Sequence, residues 1–219
     1  LGLTMPAVLH GSQGLVVHAP LPAEGKLRSV SRVVSIFDRG EGRGSLLSMA
    51  RELYDAPTGT HYASLSATYV CRADQVAGAP AASKPTGNVI PDRAPDLVVP
   101  VSTSTQAAQL FALTGDQNPL HMVPEFAAKA GFPAPILHGM ATYGICAAFA
   151  EKQLCEMPGA AIVSRLGAIS GRFSAPVYPG ETLELALWQE PQGVRFEARV
   201  PIRSALVITD GQIAIEKAF

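Results

Sequence analysis

Five prolines, Pro80, Pro85, Pro91, Pro95 and Pro100, crowd into the segment from Asp74 to Pro100, with Ala, Gly and Ser between them. Each proline fixes φ and removes a backbone donor, so this segment sustains neither a helix nor a central strand. It reads as an extended connector. The 219-residue chain is therefore expected to divide into residues 1–73, a linker over 74–100 and a second unit over 101–219.

The second unit carries the clearest periodicity. Phe196, Ala198 and Val200 alternate with Arg195, Glu197 and Arg199, and Leu183, Leu185 and Leu187 alternate with Glu184 and Ala186. Period two marks half-buried strands. Pro191-Gln192-Gly193 supplies a turn between them. Asp210-Gly211, between Leu206-Val207-Ile208 and Ile213-Ala214-Ile215, predicts a hairpin. Ahead of this meander, Pro124 to Gly131 predicts a short helix with proline at its first position and glycine at its C-cap. Met140 to Cys155 predicts a longer helix. It is apolar around most of its circumference until Glu151-Lys152 and is expected to be buried. A buried helix wrapped by an antiparallel meander is an α+β arrangement.

The first unit repeats part of this pattern. Ala19-Pro20-Leu21-Pro22 parallels Ala175-Pro176-Val177-Tyr178-Pro179, and both lead into strand-like segments. In the first unit these run over Leu27–Asp38, Ser45–Tyr54 and His61–Arg72, with turns at Gly40–Gly44 and Pro57-Thr58-Gly59. An internal duplication fits. Leu137-His138-Gly139 precedes the long helix, whereas Leu9-His10-Gly11 reaches its Ala-Pro element almost at once. If the two correspond, the first unit has lost its central helix.

Composition excludes several classes. Hydrophobic residues make up 47% of the chain and charged residues 16%, which is too apolar for a disordered chain. The formal net charge of -1, without a basic stripe, gives no electrostatic case for nucleic acid. No apolar run approaches the ~20 residues of a membrane span, and no signal peptide is evident. The three cysteines, Cys71, Cys146 and Cys155, are odd in number and lack C-x-x-C spacing. They read as reduced thiols, with neither a disulfide framework nor a metal site, and point to the cytoplasm. The sequence opens on Leu1 and not Met, so further chain upstream is expected.

Chemistry concentrates in Thr114-Gly115-Asp116-Gln117-Asn118-Pro119-Leu120-His121. Pro119 stiffens this loop and holds Asn118 extended. A carboxylate and an imidazole five residues apart on such a loop can converge on one water. Asp-x-Asn-Pro is also good turn chemistry, so spacing alone favours an ordinary capped turn.

This motif closely resembles that of the MaoC-like, (R)-specific enoyl-CoA hydratases, which have a hotdog fold. The likeness continues through Ile136-Leu137-His138-Gly139-Met140 and Arg172 to Thr182, in the same order and spacing. Residues 1–73 resemble the degenerate first repeat of double-hotdog members, which lacks the motif and the full central helix. The resemblance implies an α+β double hotdog with one site per chain. Asp116 and His121 would activate a water that adds across a trans-2-enoyl thioester, giving a (3R)-3-hydroxyacyl-CoA. The backbone N–H of Gly139 would stabilise the charge developing on the thioester oxygen. Gly115, Asn118 and Met140 would line the substrate, with Asn118 orienting the loop or the water, or only stabilising the turn.

No cofactor or metal is expected, because the thioester itself activates the double bond. The expected partners are an acyl-CoA substrate, its phosphates held by Lys or Arg, and a second copy in a homodimer. A hotdog thioesterase and a non-catalytic acyl-CoA-binding subunit are the alternatives. His138 is read as a structural histidine in preference to a second base. His10 and His18 lack an acidic partner at matching spacing and are set aside. Tyr143 is read as core, and Arg172 and Tyr178 are given no chemistry. Gly40-Glu41-Gly42-Arg43-Gly44 opens no helix and reads as a turn, not a phosphate loop.

Overall fold

A computed structural model describes residues 2–81, 90–156, 164–191 and 193–217. Leu1, Pro85 of the connector and Gln192 of the expected 191–193 turn lie outside the described residues, as does the side chain of Cys155. In chain order the elements are β1 (Val8–Val17), β2 (Leu27–Asp38), β3 (Ser45–Asp55), β4 (His61–Cys71), β5 (Leu97–Ser102), α1 (Ala107–Ala112), α2 (Pro124–Lys129), α3 (Gly139–Glu156), β6 (Ser164–Phe173), β7 (Thr182–Glu190), β8 (Gly193–Val200) and β9 (Ala205–Lys217). The strands form one sheet in the order β2-β3-β4-β1-β6-β9-β8-β7-β5, with every pairing antiparallel.

That order contains a repeat. β1-β4-β3-β2 and β6-β9-β8-β7 run outward from a shared seam in which Gln13 faces Gly171 and Leu15 faces Ile169. Ala19-Pro20 follows β1 and Ala175-Pro176 follows β6, so these two elements occupy equivalent places. Leu9-His10-Gly11 and Leu137-His138-Gly139 do not. The first lies inside β1, while the second ends at the first residue of α3. The three-residue match is a coincidence of local sequence.

The core sits between α3 and the second half of the sheet. Leu183, Leu185, Leu187, Phe196, Ile208 and Ile213 are buried there against Tyr143, Cys146, Ala150 and Leu154 of the helix. Burying each large apolar side chain contributes roughly 1.5–3 kcal/mol. The helix is not enclosed on all sides, as its apolar circumference suggested: Gly144, Ala148, Phe149 and Lys152 are exposed. A single sheet covers only one side of a helix, and small residues on the outer side carry little penalty for facing water. Across β2–β4 no helix of the described residues covers the sheet, and Val30 and Val34 of the edge strand β2 remain 44% and 60% exposed.

The predicted hairpin at Asp210-Gly211 is absent. Leu206 to Ile215 belongs to one strand, β9, which bulges at this point. Ser170 and Arg172 pair with Gln212 and Thr209, and Phe196 and Ala198 pair with Gly211 and Ile208, so β9 holds one extra residue against each neighbour. Asp210 takes φ 55°, the left-handed conformation that serves a bulge as readily as a turn. A Cβ on Gly211 would stand 2.4 Å from the carbonyl oxygen of Phe196. Only glycine fits there.

β5 begins at Leu97, so residues 97–100 of the connector join the sheet, with Pro100 on the outermost strand, where a missing donor is tolerated. Gly40–Gly44 forms the β2–β3 turn, with Gly40, Gly42 and Gly44 all at positive φ.

Candidate active site

Two short elements absent from the sequence reading frame the loop. α1 precedes it, following a turn in which Ser104 Oγ accepts from the Gln106 N–H. A single 3-10 turn, Pro119–His121, ends it. Asn118 Oδ1 accepts from the Leu120 N–H at 3.1 Å and caps that turn, which commits its oxygen to the loop. Asp116 Oδ1 accepts from the Asn118 N–H at 3.3 Å. Gly115 takes φ 116°, which lets the chain reverse into the loop. Beneath, Leu120, Ala127 and Ile136 are packed together with Leu9, Phe132 and Tyr178. The loop thus rests on an apolar pad that ties α2 to β1.

The pair itself converges. One carboxylate oxygen of Asp116 and one ring nitrogen each of His121 and His138 all lie within 4.8 Å of one another. One water, at roughly 2.8 Å from each of two such groups, bridges that gap. His121 Nδ1 donates to the Ile136 carbonyl at 2.8 Å, which leaves Nε2 as the lone-pair nitrogen of the neutral ring. Burial holds the His121 pKa below its usual 6.5, and a neighbouring His138 adds to the effect. The ring is therefore neutral near pH 7 and able to accept a proton.

His138 is 1% exposed and stands under the pair. Its Nε2 donates to the Asp116 carbonyl at 3.0 Å, and its ring stacks on His121 with centroids 3.7 Å apart. Phe111 closes the other side at 4.7 Å. Burial also lowers the His138 pKa. Three donors this close match a metal trio by type, but the two imidazoles are stacked with 27° between planes. An imidazole holds its lone pair in the ring plane, so two rings stacked in this way do not share the common point that a chelated ion needs.

Gly139 opens α3, where N–H groups lack partners within the helix and the dipole is positive. A Cβ at Gly139 would lie 3.4 Å from the Phe173 ring, so this aromatic side chain stands directly against the start of α3. Met140 is half-buried behind it. Tyr143 is a core residue, its hydroxyl bonded to the Ile169 carbonyl. The Arg172 to Thr182 block is held structurally. Leu137 N–H donates to the Val177 carbonyl, and Glu181 accepts from both Tyr178 N–H and Arg203. Arg172 lies 3.8 Å from Asp210 at the bulge.

His10, set aside on spacing, does belong to this neighbourhood. Its ring stacks on Tyr69 at 5.1 Å and meets the edge of Phe173 at 5.0 Å, and Asp116 is close enough to act on its charge. Its Nε2 is enclosed without a hydrogen-bond partner among the described residues, and burial lowers its pKa. The two residues are 106 positions apart, so local spacing carried no signal for their proximity. A larger groove of about 420 Å³, lined by Gly14, Ser66, Ser170 and Ala214, opens on the opposite sheet face, away from this chemistry.

A helix packed on one face of an antiparallel sheet, with Asp116 and His121 converging beside the helix start, is the arrangement of a hotdog protein. Residues 87–210 match the MaoC like domain family and residues 2–73 match the MFE-2 hydratase 2 N-terminal domain. The chain belongs to the MaoC-like dehydratase family. It is 38% identical over 213 residues to 3-hydroxyacyl-thioester dehydratase Y of Mycobacterium tuberculosis, covering 94% of this chain and 72% of that protein. It is 34% identical to the peroxisomal multifunctional enzyme type 2 of Mus musculus, covering all of this chain and 29% of that much longer protein. Among solved structures, a MaoC-like dehydratase from Phytophthora capsici superposes with TM-score 0.84 at 32% identity, covering 98% of this chain and 73% of that one.

Proposed function

We propose that this chain is a hydro-lyase that adds water to trans-2-enoyl-CoA thioesters and forms (3R)-3-hydroxyacyl-CoA, reversibly. The observation that carries this reading is the convergence of Asp116 and His121 within 4.8 Å. A water between them donates one hydrogen to the carboxylate and one to the neutral His121 Nε2, which leaves an oxygen lone pair facing the substrate. As the O–H bond breaks, the hydroxyl oxygen bonds to the β-carbon. The π electrons move towards the carbonyl, and the proton held by the pair passes to the α-carbon on the same face. Charge on the thioester oxygen is met by the Gly139 N–H and the positive end of α3. No oxidant, metal or prosthetic group enters this balance. The relatives named for this chemistry include an enoyl-CoA hydratase from Mycobacterium tuberculosis, 36% identical over 213 residues.

The mirrored strand orders on either side of the β1–β6 seam support two hotdog repeats in one chain, with the central helix kept in the second alone. Uncovered apolar side chains at Leu110, Leu113 and Phe149 support a homodimer. No helix among the described residues is long and apolar enough to cross a membrane. Cys71 and Cys146 are buried free thiols, which supports a reducing compartment, here taken as the cytoplasm.

The test uses crotonyl-CoA. Loss of the conjugated-enoyl absorbance without release of free thiol is the expected result. Thiol release identifies a thioesterase instead, and neither signal leaves a binding protein.

A further inference from the structure

The face of β1–β4 that continues from Phe173, beside Gly139, is not a plain apolar wall. Phe173 stands 3.4 Å from the Gly139 Cβ position, His10 meets Phe173, and Tyr69 stacks on His10. Tyr69 in turn lines a small groove of about 60 Å³ together with Gln13, Ser31, Met49 and Arg51. These side chains share one face. Gln13 pairs with Ala67, Met49 with Ala67, Tyr69 with Leu47 and Arg51 with Leu65, all at alternate positions. A row of side chains therefore runs from Phe173, beside Gly139, to Arg51.

This groove is far too small for an acyl-CoA, which needs several hundred Å³, but it holds a terminal group of a few atoms. Its chemistry is cationic. Arg51 Nε–H donates to Ser31 Oγ at 3.0 Å, which fixes the guanidinium plane and leaves both Nη groups to offer. Among the described residues no carboxylate pairs with Arg51. The acids at same-face positions on β2 and β3 are Asp38 and Asp55, and both are taken up at the strand ends. Asp38 accepts from Gln75 and the Gly40 N–H, and Asp55 accepts from Thr58. Glu52 projects to the other face, where it is bonded to Ser64 and His61.

We propose that Arg51 recognises a carboxylate at the far end of the acyl chain, so that the preferred substrates are ω-carboxylated enoyl thioesters. This rests on the hydratase reading above. A planar guanidinium already oriented through Nε binds a carboxylate through two parallel hydrogen bonds. The Arg51 pair lies four residues along β3 from the Leu47–Tyr69 pair, about 13 Å at strand rise. With the two aromatic steps of about 5 Å before it, the track is about 23 Å at most, and an extended chain of roughly 16 to 20 carbons spans it at about 1.2 Å per bond. The aromatic and aliphatic wall suits the methylenes, and Arg51 suits the end.

The experiment compares (E)-hexadec-2-enoyl-CoA with the CoA monothioester of (E)-hexadec-2-enedioic acid, using crotonyl-CoA as the short control. The wild-type protein is expected to show at least about a tenfold higher kcat/KM for the carboxylated chain. Arg51→Met should abolish that preference and leave crotonyl-CoA hydration unchanged. Arg51→Lys, which keeps charge but loses the paired geometry, should retain a reduced preference. Equal rates on both long substrates overturn the proposal. So does a rise in the crotonyl-CoA KM of Arg51→Met, which would place Arg51 on the CoA phosphates. Failure of the wild type on all three substrates strikes the hydratase reading itself, a distinct outcome from hydration without end-group preference.

Discussion

His138 Nε2 donates a 3.0 Å hydrogen bond to the backbone carbonyl of Asp116, tying the residue before α3 to the loop that carries the carboxylate. The same ring lies 3.7 Å under His121. One buried imidazole thus sets the position of both members of the pair.

Replacing it by a ring of similar size, His138→Phe, keeps the packing and removes the bond. The expected result is a roughly 10- to 100-fold lower kcat on crotonyl-CoA with KM changed less than about threefold. Because His138 also lowers the His121 pKa, the acid limb of the rate profile should move to higher pH. A variant that only lost stability would leave that limb in place.

Asp116→Asn and His121→Ala should each reduce kcat by roughly 10²- to 10⁴-fold while melting near the wild-type temperature. Asp116 is exposed and His121 is only half-buried, so neither carries the core. The double variant should be little slower than the slower single, since both groups act on one water. Near-normal turnover by Asp116→Asn would remove the carboxylate from the mechanism.

The three site histidines define a pH window. Burial lowers the pKa of His10, His121 and His138 below 6.5 in the folded chain, so the unfolded chain binds more protons between the folded values and 6.5. Stability therefore rises with pH through that interval, is fully present above 6.5 and is lost as pH falls through the folded pKa values. Melting temperatures at steps between pH 7.5 and 5 should decline from about pH 6.5 downward. The acid limb of kcat should likewise fall below pH 6.5, because His121 must be neutral to accept a proton. An acid limb centred above 6.5 would contradict a buried, neutral His121.

Gly211→Ala tests the bulge. Its methyl would meet the Phe196 carbonyl oxygen at 2.4 Å, between two central strands that cannot part cheaply. The expected loss is about 1–3 kcal/mol or more, read as a lower urea midpoint. A neutral substitution would mean that β9 turns at Asp210-Gly211 after all.

Sequence alone determined what depends on near neighbours. Three of the four strands of the first unit, β2 to β4, were legible almost to the residue, because alternation and glycine turns are local signals, whereas β1 was not read as a strand. The span from Pro124 to Gly131 and the start of the long helix were legible through proline, glycine and alanine for the same reason. So was the loop from Thr114 to His121 as a place where polar groups cluster.

Only the tertiary structure decided the rest. Asp210-Gly211 has the same backbone preference in a hairpin and in a bulge, and it is pairing with both β6 and β8 that keeps β9 one strand. The apolar surface of α3 does not say how many sides the sheet will cover. The approach of His10 to Asp116 and the track to Arg51 arise from strands brought together across the sheet. Chain-distant contacts of this kind are set by the global packing of hydrophobic faces, and no window of sequence contains them.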